Sequence, residues 1–200
     1  MILVDYSAIA VATVVINKVN DEDMLRHMIL NTLRMYNKKF RDEYGEMILC
    51  CDGMNNWRRN YFPQYKANRK KVREESDFDW NKAFAIMDEV REDIKVNFPY
   101  KVLSINECEA DDIIGTLAAN TQEFGNYENV MIVSADGDFK QLQVYENVKQ
   151  FSPILKKDVV DPNPRLNLRI KIIKVMLVTE YQTFYPMTMF CRGYTANSCV

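Results

Sequence analysis

Asp5, Asp52, Asp111, Asp112, Asp136 and Asp138, with Glu109, are the side chains whose type and spacing could do chemistry together. Asp5 follows the apolar run Met1-Ile2-Leu3-Val4, Asp52 follows Met47 to Cys51, and Asp136 and Asp138 follow Val130 to Ser134. Glu109-Ala110-Asp111-Asp112 opens a helix-like stretch, and Glu107 lies just outside it. In a parallel α/β sheet the strand C-termini share one edge, so carboxylates placed there converge. Converging carboxylates repel one another unless something positive lies between them. Oxygen-only donors of this kind suit Mg²⁺, with Mn²⁺ as the alternative. Two such ions at a sheet edge form an arrangement for cleaving phosphodiesters. Taken singly, each acid has a plainer explanation: a turn or cap residue for Asp5, dipole complementation for Asp111 and Asp112, a turn for Asp136-Gly137-Asp138. Four such coincidences at one edge favour the metal.

The elements that must position these acids follow from periodicity and punctuation. Strands are expected over Met1–Val4, Met47–Cys51, Tyr100–Ile105 and Asn129–Ser134. Asn20 or Asp21 caps a helix to about Tyr44, with Leu25, Met28, Ile29, Leu33, Tyr36 and Phe40 in a stripe near the 3.6 period, and Gly45 ends it. A second helix starts at Asp77 or Asp79 and turns Trp80, Phe84, Met87, Val90 and Ile94 inward. A third runs from Glu109 to Phe124, with Ile113, Ile114, Leu117 and Ala118 toward the core and Gly125 as its stop. Glu109 and Asp112 are three apart and share its face, and Asp111 is expected to turn somewhat away yet, being near the helix start, to reach the strand ends. Gly137 is expected to let the backbone fold tightly so that Asp136 and Asp138 face one site. Val148 to Val160 reads as a hairpin around Pro153. This alternation predicts an α/β fold, a mostly parallel central sheet flanked by helices.

The chain has 200 residues and is 48% hydrophobic, enough for one sizeable core. No apolar run is long enough to span a bilayer, and the first residues do not read as a signal peptide. Five cysteines without metal-ligand spacing predict a reduced, cytoplasmic protein, and adjacent Cys50 and Cys51 should point to opposite faces of their strand. The single histidine, His27, reads as a surface or core residue, and the eleven methionines read as core filling. The net charge of −2 conceals a strong polarity. From Trp57 to Arg73 there are seven bases and no acid: Arg58, Arg59, Lys66, Arg69, Lys70, Lys71 and Arg73. Trp57, Tyr61, Phe62 and Tyr65 are interleaved with them. Aromatic rings stack on unpaired bases while Arg and Lys hold phosphates, so the segment predicts single-stranded nucleic acid as a partner. Pro63 keeps it from being one straight helix.

The order of these motifs resembles the flap-endonuclease, or 5′-nuclease, superfamily, and within it the ribonucleases H of T-even-type bacteriophages. The resemblance rests on Val4-Asp5-Tyr6-Ser7, Cys51-Asp52, Trp57-Arg58-Arg59, Tyr65-Lys66-Ala67-Asn68-Arg69, Glu109-Ala110-Asp111-Asp112 and Ser134-Ala135-Asp136-Gly137-Asp138-Phe139-Lys140-Gln141-Leu142. It implies a PIN-like core and two Mg²⁺ ions held by Asp5, Asp52, Glu109, Asp111, Asp136 and Asp138. It implies that Asp112 acts behind the metals or on the second ion, and that Lys66 and Arg58 contact the scissile phosphate. It makes 57–76 an arch or bridge over the single-stranded 5′ end, mobile without DNA, with Arg59, Tyr65, Arg69, Lys70, Lys71 and Arg73 as further nucleic-acid contacts. The implied substrates are DNA and RNA–DNA hybrids with a 5′ flap or single-stranded 5′ end, cleaved during phage-type replication in an infected bacterial cell. A monomer and a single-strand-binding partner protein are expected.

The resemblance covers residues 1–174 and stops there. The family continues with Gly-Asp-x-x-Asp and a duplex-gripping region, where this chain reads Val175-Met176-Leu177-Val178-Thr179-Glu180-Tyr181-Gln182-Thr183. No helical period is evident over 175–200. One added base in front of Val175 allows codons that read Gly-Asp-Ala-Gly-Asp, so 175–200 is expected to be a frameshifted, poorly ordered tail and the activity to be impaired. The alternative is a nuclease-defective fragment that only binds single-stranded nucleic acid. Phosphatases of the haloacid-dehalogenase type want an Asp where Ser7 stands, and Toprim domains lack an Asp52-type acid followed by a basic arch.

Overall fold

A computed structural model describes residues 1–17, 21–123 and 127–179, without the side chains of 70–72 and 175–179. It divides into Met1–Val160 and a second unit from Asp161 onward. In the first unit a six-stranded sheet runs in the order β3-β2-β1-β4-β5-β6. The strands are β1 (Ile2–Asp5), β2 (Met47–Cys51), β3 (Lys101–Ser104), β4 (Val130–Val133), β5 (Val148–Ser152) and β6 (Lys157–Val159). All pairings are parallel except β5 with β6, which is the expected hairpin. The mostly parallel sheet flanked by helices is therefore the observed class.

The central strands are short apolar runs buried on both faces, as a parallel sheet requires. Ile2, Val4, Met47, Leu49, Cys51, Met131, Val133 and Phe151 join one core with helices α1 (Tyr6–Asn17), α2 (Glu22–Tyr44) and α5 (Trp80–Asn97). Cys50 is buried outside that cluster, so the two cysteines face opposite sides as alternation demands. Helix α6 (Ala110–Asn120) packs against β1 and β2 and buries Ile113, Ile114 and Ala118, while Leu117 is only half-buried. Asp21 caps α2 by accepting from the Met24 N–H, and Gly45, at φ 78°, closes it with its N–H on the Arg41 carbonyl. Asp79 caps α5. Trp80 and Phe84 lie at the margin of the core, not inside it.

Three elements escape the periodicity argument. Helix α1 contains the β-branched residues Ile9, Val11, Thr13, Val14, Val15 and Ile16, which favour strands. It forms because Asp5 caps it and α2 and β2 cover one side. Residues 137–144 form a 3₁₀ helix. Gly137 is not among the positive-φ residues; the tight turn comes from the Asp136 carboxylate accepting the Asp138 N–H at 2.8 Å. In the second unit, helix α7 (Pro164–Thr179) starts with Asn163 accepting the Leu166 N–H and Pro164 in the first turn. It continues past Lys174, so the expected boundary there coincides with no break in secondary structure. Val, Met and Leu can extend a helix, and no proline intervenes before 186. The remaining tail, 180–200, and the Gly125 stop lie outside the described residues.

Candidate active site

The chain passes from β1 outward to β3 and returns to β4 on the other side of β1. At such a reversal the crossovers diverge and a crevice opens beyond the strand C-termini. Asp5 ends β1 and Asp136 lies just past β4, so they flank that crevice. Asp52 follows β2, and one of its carboxylate oxygens accepts the Ala110 N–H at 2.9 Å, which fixes it at the start of α6.

Asp5 is only 9% exposed. It accepts the Ala8 N–H at 2.9 Å and faces the Ser134 hydroxyl at 3.5 Å. Burial raises its pKa to about 6; the Ala8 N–H opposes the rise, and Asp52 and Asp136 add to it. Burial, then the nearby charges of Asp5 and Asp136, raise Asp111 to about 7. Asp111 therefore lies within electrostatic reach of Asp5 and Asp136, at the strand ends that its place at the helix start lets it reach, and it does not turn aside as its position on the helix suggests. The reason is helical spacing: residues 114 and 115, three and four positions on, are both buried, so 111 sits on the packed side. Glu109 and Asp112 face the basic segment instead.

That segment forms α3 (Trp57–Tyr61) and α4 (Ala67–Glu74), two helices on either side of Pro63. Arg58 grips Asp112 with two hydrogen bonds, each 2.7 Å, and reaches Glu109 at 3.2 Å. Burial alone would raise the Asp112 pKa, but these bonds and the Glu109 N–H hold it below the usual carboxylate range. Lys66 donates to one Glu109 oxygen at 2.7 Å and the Tyr65 hydroxyl to the other at 2.9 Å. Trp57 points its indole N–H at Asp112, 3.4 Å away, and Arg58 lies over its ring. So Arg58, Tyr65 and Lys66 turn toward acids, whereas Arg59, Tyr61 and Arg69 are exposed. Arg73 bonds the Arg69 carbonyl and lies over the Phe84 ring. The Lys70 and Lys71 side chains lie outside the described residues.

Two loops register this segment on α6. The Gly53 N–H bonds the Cys108 carbonyl at 2.8 Å, Trp57 N–H bonds Glu107 at 2.9 Å, and Glu107 N–H bonds Met54 at 2.7 Å. A Cβ on Gly53 would lie 1.9 Å from the Ile105 carbonyl oxygen, so glycine is required by the close approach.

Sequence reasoning missed two supports. The Ser134 hydroxyl also accepts the Asp136 N–H at 3.2 Å and so ties that turn to Asp5. Gln150, buried at 1% exposure, donates to the carbonyls of Ser134 at 3.0 Å and Asp136 at 2.7 Å. Ser134 lies inside the Ser134–Leu142 motif; Gln150 carried no signal beyond its place in the expected hairpin over Val148 to Val160. His27 is exposed beside Asn31, away from the acids.

The donor set fits a hard divalent cation in kind: it is all carboxylate oxygen, and Asp5 and Asp111 bear mutual repulsion that a cation would relieve. As the side chains stand, no three among the described residues are gathered closely enough to hold one ion.

The fold and acidic crevice define a PIN-like α/β protein with a basic segment over its sheet edge. The family model for the 5′-3′ exonuclease N-terminal resolvase-like domain matches residues 2–167, and the chain belongs to that family. It is 38% identical over 181 residues to ribonuclease H of Enterobacteria phage T4, covering 86% of this chain and 59% of that protein. It is 30% identical over 147 residues to a 5′-3′ exonuclease of Buchnera aphidicola subsp. Schizaphis graminum, covering 73% of this chain and 46% of that one. Among solved structures, phage T5 5′-exonuclease with bound zinc matches with a TM-score of 0.63 at 20% identity, over 82% of this chain and 58% of that chain. A T5 flap endonuclease structure with DNA and metal ions matches with a TM-score of 0.62 at 19% identity, over 80% and 57%. The chain thus spans about three fifths of the T4 relative's length.

Proposed function

We propose that this chain carries the catalytic core of a divalent-metal-dependent 5′ nuclease that acts on DNA and RNA–DNA hybrids with a 5′ flap or single-stranded 5′ end. The observation that carries the reading is that Asp5, Asp52, Asp111 and Asp136 lie around the strand C-termini at the sheet reversal, Asp5 within electrostatic reach of the other three, beside a basic segment. Mg²⁺ or Mn²⁺ held by Asp5, Asp52, Glu109, Asp111, Asp136 and Asp138 would lower the pKa of an attacking water and neutralise charge on the phosphoryl oxygens. The chain's own residues supply the rest. Asp5 and Asp52 are held by backbone N–H groups and so are oriented before a substrate arrives. Arg59 and Arg69 face solvent, and with Tyr61 they present a phosphate- and base-binding surface to a single strand. Lys66 is close enough to Asp5 and Asp111 to act on their ionisation, and from there it can offset charge developing on a scissile phosphate.

A second reading is a chain that binds single strands without cutting them, favoured by the lack of three gathered ligands among the described residues. One experiment separates the two. The purified chain is incubated with a 5′-flap duplex and a flapped RNA–DNA hybrid, with Mg²⁺ and with a chelator, beside Asp136→Ala. Cleavage that needs Mg²⁺ and is lost in the variant supports the nuclease. Flap binding without cleavage in any metal supports the binder.

A further inference from the structure

The geometry points to Tyr65 and Lys66 as an exchangeable latch on Glu109, one that must let go when a divalent cation is bound, so that metal loading and release of residues 62–69 are a single event. The inference rests on the metal reading proposed above. Both Glu109 oxygens are already in use, one by the Lys66 ammonium at 2.7 Å and the other by the Tyr65 hydroxyl at 2.9 Å, with the Arg58 guanidinium 3.2 Å from the second as a looser contact that its two bonds to Asp112 keep in place. A hard cation needs carboxylate oxygen at about 2.1 Å. An ammonium on the same oxygen would then face a doubly charged ion at close range, and one of the two must leave. Until then Lys66 is a resident counter-charge for the acidic crevice, since it also acts on Asp5 and Asp111.

Which contact yields is decided by how each is built. Arg58 holds Asp112 through two parallel hydrogen bonds, its side chain is 13% exposed, and α3 is pinned through the Trp57 to Glu107 backbone bond. Lys66 holds Glu109 through one bond and is 28% exposed. Its backbone is also in the left-handed region, at φ 56°, a conformation that costs a non-glycine residue energy and persists only while its surroundings hold it. So α3 stays and the 62–69 stretch lets go. Lys66 is then free to take a phosphate. By linkage, a phosphate on Lys66 raises the affinity of Glu109 for metal by the same factor that metal raises the affinity for phosphate.

The test uses Mn²⁺ alone with the 200-residue chain. Free Mn²⁺ is read by its paramagnetic resonance signal, and backbone exchange over 57–74 is read by mass spectrometry. Lys66→Gln should bind Mn²⁺ more tightly by roughly five-fold or more, a modest coupling, with Tyr65→Phe shifted the same way by less. In the wild type, Mn²⁺ should speed exchange over 62–69 and leave 57–61 unchanged; in Lys66→Gln the 62–69 amides should be fast without metal. Tyr65→Phe loses only a hydroxyl and keeps the test available if Lys66→Gln does not fold. Equal Mn²⁺ affinity in all three proteins, or slower exchange over 62–69 with Mn²⁺, overturns the latch and leaves the nuclease reading standing. Failure of the wild type to bind Mn²⁺ overturns both.

Discussion

Without a divalent ion, Asp5 and Asp111 hold protons to about pH 6 and about pH 7, because they are buried and face other carboxylates. The folded form therefore binds more protons than the unfolded chain between roughly pH 4 and pH 7. The stability these groups contribute is full below the unfolded pKa and is lost as pH rises through the folded one. The metal-free protein should thus melt higher at pH 5 than at pH 7.5, by roughly 3 °C or more. Asp111→Asn should flatten that dependence, and Mg²⁺ should restore stability at pH 7.5 in the wild type but less in the variant. Calorimetry with a chelator, at several pH values, checks it; a metal-free melting point that rises steadily toward pH 7.5 would contradict it. The acid types and their positions after strand-like runs were readable in the sequence. How deeply Asp111 is buried beside Asp5 was not, because it depends on which side of α6 packs on the sheet.

At the scale of elements, the loops after β2 and β3 set how the basic segment meets α6. Gly53→Ala should disrupt them, since its Cβ would collide with the Ile105 backbone and no flexible side chain can move aside. A cost of about 2 kcal/mol or more is expected, in the range of overpacking and strain. It should appear as a lower urea midpoint together with reduced cleavage. An unchanged midpoint would mean that the two loops are not as tightly knit as their hydrogen bonds imply. Helices α2 and α5 were legible because their caps and apolar stripes agree. Helix α1 was not: its β-branched run follows the tertiary environment against propensity. The 3₁₀ helix was missed because Asp136-Gly137-Asp138 looks the same whether a glycine or a capping carboxylate makes the turn.

For the whole molecule, the relevant fact is extent. The family model ends at residue 167 and the T4 relative is covered over 59% of its length. On the nuclease reading proposed above, a chain extended by the Gly-Asp-x-x-Asp stretch that the resemblance implies, and by the region beyond it, should cut 5′ flaps at least about ten-fold faster than this one, the scale of losing support for a metal site. Side-by-side cleavage rates at saturating Mg²⁺ measure this, and equal rates would refute it. The gene read in all three frames around codon 175 shows whether Asp can be restored at the second and fifth positions. By itself, the sequence determined the alternation of strands and helices along the chain, the acids at the strand ends, and the basic run between the second and third acidic motifs, because burial period and punctuation are local properties. Only the tertiary structure decided which acids converge, because convergence depends on the reversal of strand order between β1 and β4. It also decided that Arg58, Tyr65 and Lys66 turn inward to Asp112 and Glu109, because partners 43 to 54 residues apart meet only after the sheet has formed.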